Sequence, residues 1–321
     1  MTHIPDTFSF RASSPRAVPT LPSAFTRRAP RALVHVFPAL LDIAMRAGQR
    51  ILDYYGTDVS VALKEDESPV TPADEAANVL ICRELANLLP AVPVVSEENA
   101  PPAAEERAGW RHYFLVDPLD GTKGFLNRNG QFTVNIAYMR NHQPVAGIIH
   151  VPVSGLTYFG TRGAGAFRFA HVPPALEAPG AGMLTTLLAA SDREGAPGTH
   201  PRDGADEGEG TSIPVLHRIH VRERKDTPVV LQSNVERTPR LDAFMGTVPH
   251  ARIRAGSSLK FCLLAEGAAQ VFPCLHPTWE WDTAAGHAIL LAAGGSLVRA
   301  DGRAFQYGKP SLLNDWFVAR A

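Results

Sequence analysis

The chain has 321 residues, 45% hydrophobic and 20% charged, with a formal net charge of -1. That is the composition of a globular chain with room for one large or two modest cores. The charge balance excludes any need for a nucleic-acid polymer or an anionic membrane surface as partner, while leaving a small phosphorylated ligand open. The three cysteines, Cys82, Cys262 and Cys274, make no CxxC pair, and their odd number argues against a disulfide framework. A reducing cytoplasm is expected, with Cys82 and Cys262 as buried thiols. No apolar run approaches the roughly 18 residues of a membrane span, and no secretory signal is read at the N-terminus.

In chain order, residues 1–30 are rich in Ser, Pro, Arg and Thr and hold one acid, Asp6. They suggest a disordered tail or early start codon rather than a transit peptide, since no amphipathic pattern is evident. From Ala32 to Tyr55 apolar residues recur at helical spacing, with Gly56 as the stop. Pro72 to Leu89 predicts a second helix, with Asp74 and Glu75 near its positive end. Strands are expected at Val92–Val95, Tyr113–Val116, Thr133–Arg140, Val145–Val151 and Leu156–Gly160. Residues 173–212 hold few large apolar side chains and predict a mobile insertion. Beyond it, Ile219–Val221 and Val229–Leu231 predict strands, Ser257–Glu266 a helix, Ala269–Phe272 a strand and Thr283–Ala293 a helix, an alternation that predicts α/β structure. Expected divisions are therefore a 1–30 tail, an α+β half at 31–172, the 173–212 insertion and an α/β half at 213–321.

The stretch Asp117-Pro-Leu-Asp-Gly-Thr-Lys123 puts two aspartates at the end of an apolar strand. Neighbouring carboxylates repel unless something positive joins them, and hard cations such as Mg²⁺ take oxygen ligands. Gly121 and Thr122 could offer backbone N–H groups to a phosphate. Taken alone, the motif reads more readily as a surface turn. Glu97 also ends an apolar strand, Asp74 starts a helix, and Asp282 starts another, where alone it reads as an N-cap. A carboxylate cage holding two or three Mg²⁺ ions would explain all four positions together.

The ordered set S-P-V-T-x-A-D (68–74), S-E-E (96–98), D-P-L-D-G-T-K (117–123), G-S-S-L-K (256–260) and W-D-T-A-A-G-H-A (281–288) resembles the inositol monophosphatase superfamily of Mg²⁺-dependent, Li⁺-sensitive phosphatases. The likeness runs from about residue 31 to the C-terminus. Lys123 and the form of the last motif resemble its 3′(2′),5′-bisphosphate nucleotidase branch, acting in sulfur metabolism. The resemblance implies a layered αβαβα sandwich of the inositol monophosphatase and fructose-1,6-bisphosphatase type. It further implies one Mg²⁺ at Glu97, Asp117 and the Leu119 carbonyl, a second at Asp117, Asp120 and Asp282, and a weaker third near Asp74 and Glu97. Thr122 with Asp74 would orient and deprotonate the attacking water. Gly121 and Thr122 would hold phosphoryl oxygens, and Lys123, Ser257 and Lys260 would meet the rest of the substrate. The substrate implied is adenosine 3′,5′-bisphosphate, converted to AMP and phosphate in the cytoplasm, with peripheral contact at the inner membrane face left open. Alternatives are an inositol- or sugar-phosphate phosphatase with the same cage, and a metal- or nucleotide-binding protein without turnover.

Three positions depart from the branch. Gly124 stands where Glu is usual, Asn234 follows Ser233 where His is usual, and Cys274 follows Phe272-Pro273 where a basic residue is common. Two lost contacts of this kind would each weaken a second phosphate by about 1 to 3 kcal/mol. His276 and Arg237 are the candidates to substitute.

Overall fold

The computed structural model describes residues 18–28, 31–64, 66–171, 214–223, 227–234 and 238–321. The expected insertion at 173–212, residues 1–17 and Arg237 lie outside the described residues. The elements in chain order are α1 (Ser23–Arg28), α2 (Arg31–Val34), α3 (Phe37–Leu52), β1 (Ala62–Leu63), β2 (Pro69–Val70), α4 (Pro72–Leu88), β3 (Val94–Ser96), α5 (Ala104–Ala108), β4 (His112–Asp120), α6 (Thr122–Leu126), β5 (Thr133–Arg140), β6 (Gln143–Val151), β7 (Leu156–Thr161), β8 (Gly165–Ala170), β9 (His217–Ile219), β10 (Val229–Ser233), α7 (Thr238–Met245), β11 (Ala251–Ala255), α8 (Leu259–Ala265), β12 (Val271–Cys274), α9 (Glu280–Ala292), β13 (Ser296–Arg299) and β14 (Phe317–Arg320).

Two sheets organise these elements. The larger runs β3-β4-β5-β6-β7-β8-β9 and is antiparallel except for the parallel β3–β4 pair. The smaller runs β11-β10-β12-β14-β13, with a parallel core and antiparallel β14 and β13. Helices α3 and α4 pack on each other and on β4–β6, while α9 packs on β4–β8 and on α8 and β13. The result is a layered sandwich of α+β type, and its layering explains the sequence pattern. Strands β5 and β6 are covered on both faces, so they are buried nearly end to end and read as continuous apolar runs rather than alternating ones. The approach of α9 is close: a Cβ on Gly147 of β6 would collide with the Ala285 backbone, so only glycine fits there.

Two expectations need correction. The single helix over 32–55 is divided at His35–Val36, because Pro38 has no N–H to donate to the Val34 carbonyl and the ladder cannot run through it, so a new helix starts at Phe37. The expected disordered tail at 1–30 is contradicted at residues 18–28, which include α1. Phe25 is fully buried with ring centroids 5.0 Å from Phe37, 5.6 Å from Phe159 and 5.8 Å from Phe167, which fixes α1 on the core. Among the described residues no helix is long and apolar enough to cross a membrane.

Candidate active site

Parallel pairing of β3 with β4 sets Ser96 opposite Val116, and the Glu97 N–H donates to the Val116 carbonyl at 3.1 Å. Glu97 therefore leaves its strand beside Asp117. Strand β4 then breaks register against β5, with Asp117 opposite Asn135 but Asp120 opposite Thr133. This irregularity re-aims both aspartates at the strand end. From the far side, α9 brings Asp282, whose carboxylate accepts from the Trp279 N–H at 2.7 Å. Asp282 sits at the third helical position, not at the N-cap. Carboxylate oxygens of Glu97, Asp117 and Asp282 lie within 4.8 Å of one another. Asp120 stands beside them with one oxygen engaged, accepting from the Ser258 N–H at 2.6 Å and the Asn135 amide at 3.2 Å.

Asp74 is buried at the start of α4. One oxygen accepts from the Thr71 N–H at 2.8 Å and the Thr71 hydroxyl at 2.6 Å, which caps the helix. The other accepts from the Thr122 hydroxyl at 3.0 Å. Thr122 also lies 3.4 Å from the Leu119 carbonyl oxygen. Gly121 turns the chain with φ +95°, and a Cβ there would meet the Gln131 carbonyl oxygen at 3.0 Å. The DGT turn thus needs glycine twice over, for its dihedral and for its space.

The electrostatics are those of a cage short of positive charge. Burial, reinforced by Glu97, Asp120 and Asp282, pushes the Asp117 carboxyl well above its ordinary range. Burial and then Asp120 and Glu97 do the same to Asp282. Glu97 is raised by burial against the pull of Lys64, and Asp74 is raised by burial against its hydrogen bonds from Thr71 and Thr122. A divalent ion reverses this logic by making every carboxylate favourable as an anion. The donors available, carboxylates and the Leu119 carbonyl, are hard oxygens suited to Mg²⁺ or a similar ion. The residues present fit such a group.

A cavity of about 440 Å³ opens from the cage toward the smaller sheet and is lined by Glu97, Asp120–Gly124, Ser257, Lys260, His276 and Asp282 among others. Lys123 is exposed along it. Lys260 is buried, donating to the carbonyls of Ser257 at 2.6 Å and Ala255 at 3.4 Å and lying over the Phe272 ring, and burial lowers its pKa. Ser257 adopts φ +56° with its hydroxyl 2.6 Å from that of Thr133. The departures from the branch pattern line the same space. Asn234 donates to the Gln131 side chain at 3.0 Å, and the Gly256 N–H donates to the same oxygen at 2.8 Å. A Cβ on Gly124 would meet the Gln131 carbonyl at 2.6 Å. The Cys274 sulfur lies 3.5 Å from the His276 ring.

Sequence reasoning named the acids, the threonine and the glycine turn, and the fold gathers them at one place. It missed what holds them: Thr71 on Asp74, Ser258 and Asn135 on Asp120, and Lys64 on Glu97. Ser258 lay within the quoted G-S-S-L-K segment and Thr71 within S-P-V-T, so both had a signal. Asn135 and Lys64 had none, since their contacts depend on sheet register and on a hairpin 33 residues from Glu97.

Comparison with known proteins yields concordant findings. The profile of the Inositol monophosphatase family matches residues 33–316. The 3′(2′),5′-bisphosphate nucleotidase CysQ of Salmonella typhimurium is 37% identical over 279 residues, 86% of this chain and 95% of its own length. That of Haemophilus influenzae is 32% identical over 285 residues, 88% and 92% of the two chains. Among solved structures, CysQ from Bacteroides thetaiotaomicron, described as a bacterial member of the inositol monophosphatase family, matches with TM-score 0.67 and 34% identity over 88% of this chain and 96% of that one.

Proposed function

The chain belongs to the inositol monophosphatase family of metal-dependent phosphatases, and on that premise we propose that it hydrolyses the 3′-phosphate of adenosine 3′,5′-bisphosphate to AMP and phosphate. The observation that carries the chemistry is the hydrogen bond from Thr122 to buried Asp74, set beside the carboxylate group of Glu97, Asp117 and Asp282. Mg²⁺ held by Glu97, Asp117, Asp120, Asp282 and the Leu119 carbonyl would supply a water of lowered pKa and charge neutralisation at the phosphoryl oxygens. The Thr122 hydroxyl both donates and accepts, so its oxygen takes a proton from the attacking water as its own passes to Asp74 Oδ1. Burial raises the proton affinity of Asp74, which suits a general base. Thr71 holds the other Asp74 oxygen and fixes its aim. The water oxygen bonds phosphorus, the bond from phosphorus to the 3′ oxygen breaks, and that oxygen takes up a proton from solvent water, balanced by the proton that Asp74 returns to solvent.

The cavity has the size of a nucleotide site. Lys123 at its edge and Ser257 on its floor are the groups proposed to meet phosphate and sugar. Lys260, with its ammonium held by carbonyls, contributes positive potential more than a direct contact. Action in the cytoplasm and inhibition by Li⁺ are part of the same proposal. One observation favours a second reading, an inositol- or sugar-phosphate substrate. Asn234 spends an N–H on Gln131 where the branch carries histidine, so this wall offers a second phosphate less positive charge.

Phosphate release from adenosine 3′,5′-bisphosphate, AMP and inositol 1-phosphate, each with Mg²⁺ and with Mg²⁺ plus Li⁺, separates these readings. Preference for the bisphosphate, lost in Li⁺ and in Asp120→Asn, is expected. Equal or faster release from inositol 1-phosphate would overturn the nucleotide assignment and leave the metal chemistry in place.

A further inference from the structure

Gln131 stands just before β5 of the larger sheet, is buried and lines the cavity. Its side-chain oxygen accepts from the Gly256 N–H at 2.8 Å and from the Asn234 amide at 3.0 Å. Both donors come from the other half of the molecule, Asn234 at the end of β10 and Gly256 at the end of β11. A backbone N–H can only donate, so the Gln131 atom facing Gly256 is the oxygen, and the Asn234 atom facing that oxygen is the nitrogen. The orientation of both amides is thereby set. The main chain of Gln131 closes on the DGT turn: its carbonyl oxygen would lie 3.0 Å from a Cβ on Gly121 and 2.6 Å from one on Gly124. A Cβ on Gly256 would meet the Gln131 Cβ at 3.3 Å. Glycines from both halves thus pack around this one residue. Ser257, with φ +56°, keeps a conformation that a residue with a Cβ rarely adopts. The N–H groups on either side of it are tied to the larger-sheet half, Gly256 to Gln131 and Ser258 to Asp120 at 2.6 Å. Conformations of this kind persist where the surroundings over-determine them.

We propose that Gln131 is a positioning residue for substrate specificity: it holds Asn234 and Ser257, the wall that meets the substrate beyond the transferred phosphate, in register with the turn that holds that phosphate. The inference rests on the phosphatase reading of the site and holds for either candidate substrate. Ser258 separately ties the same segment to Asp120, to the Asp282 carbonyl and to Asn135. Loss of the Gln131 side chain therefore leaves the carboxylate cage closed and loosens only the wall. Metal affinity and the binding of a bare phosphate depend on the cage and the DGT turn, whereas binding of the rest of the substrate depends on Gln131.

The test is steady-state kinetics on adenosine 3′,5′-bisphosphate and inositol 1-phosphate for the parent protein, Gln131→Leu, Gln131→Glu, Asn234→Ala and the double variant of Gln131→Leu with Asn234→Ala. Inorganic phosphate serves as a competitive inhibitor, and the thermal midpoint shows that each variant is folded. Gln131→Leu should raise KM for the preferred substrate about tenfold and leave kcat within about threefold. Its inhibition constant for phosphate and its affinity for Mn²⁺ should stay within about twofold of the parent values, since those sites share no partner with the lost side chain. Gln131→Glu keeps an acceptor oxygen for both N–H groups and should stay within about threefold of the parent KM. The double variant should lie within about twofold of Gln131→Leu, because residues that act through one contact are not additive. An unchanged KM in Gln131→Leu, a Gln131→Glu as defective as Gln131→Leu, or losses that multiply in the double variant would each overturn the proposal. A matching rise in the phosphate inhibition constant would also overturn it, and leave Gln131 a prop of the DGT turn. No phosphate release by the parent from either substrate would overturn the inference together with the phosphatase reading.

Discussion

Asp117 is buried to 1% exposure with Glu97, Asp120 and Asp282 as its acidic neighbours, an arrangement that costs stability until a cation arrives. Asp117→Asn should therefore stabilise the metal-free protein, by about 0.5 to 2 kcal/mol, while abolishing phosphatase activity. Urea unfolding in EDTA and again in Mg²⁺ checks this: the parent should gain stability with Mg²⁺ and the variant should not. Thr122 and Asp74 make a different prediction, because in the proposed mechanism they act on the attacking water. Thr122→Ala and Asp74→Asn should each lower kcat about 10²- to 10⁴-fold with metal affinity little changed. Steady-state kinetics beside Mn²⁺ titration would show it, and a parallel loss of Mn²⁺ affinity would move these residues into the metal set.

At the scale of elements, α9 carries most of the consequence. Its first turn supplies Asp282 to the cage, and its body presents Ala285 to Gly147 of the larger sheet. Further along, His287 is buried against the Tyr307 hydroxyl at 3.1 Å, and burial, with Arg162 nearby, lowers its pKa from 6.5 to about 4. A depressed folded-state value means that the unfolded chain binds the proton first. The stability His287 contributes is thus complete above about pH 6.5 and is lost as pH falls toward 4, by at most about 3 kcal/mol. His287→Gln should flatten the fall of the urea midpoint over this window, measured with EDTA present. The body of the same helix was legible in the sequence because residues 284–292 form an apolar run interrupted only by Gly286 and His287. By contrast β11 is mostly exposed, and α7 buries only Leu241, so neither leaves a periodic apolar pattern to read. Their places are set by pairing with β10 and by contacts such as Arg240 to the Leu275 carbonyl at 2.6 Å.

On the scale of the whole molecule, the site exists because two sheets and α9 bring together residues from Asp74 to Asp282. The motifs were readable because each sits at an element end, where polar residues interrupt apolar runs. Their supports were not, because Lys64–Glu97 and Asn135–Asp120 are contacts of topology. The ordered segment before residue 31 was missed for a similar reason: a single Phe25 among Pro, Ser and Arg carries no pattern, yet it fills a space between Phe37 and Phe159. Phe25→Ala should cost about 3 to 5 kcal/mol, read as a lowered thermal midpoint with catalysis per folded molecule unchanged. The most direct measurement of what the assembled site does is the ³¹P spectrum of adenosine 3′,5′-bisphosphate after incubation with the protein and Mg²⁺. Inorganic phosphate with adenosine 5′-phosphate as the sole nucleotide product is the expected result. Retention of the 3′-phosphate, with the 5′-phosphate released or neither bond broken, would contradict the proposed reaction.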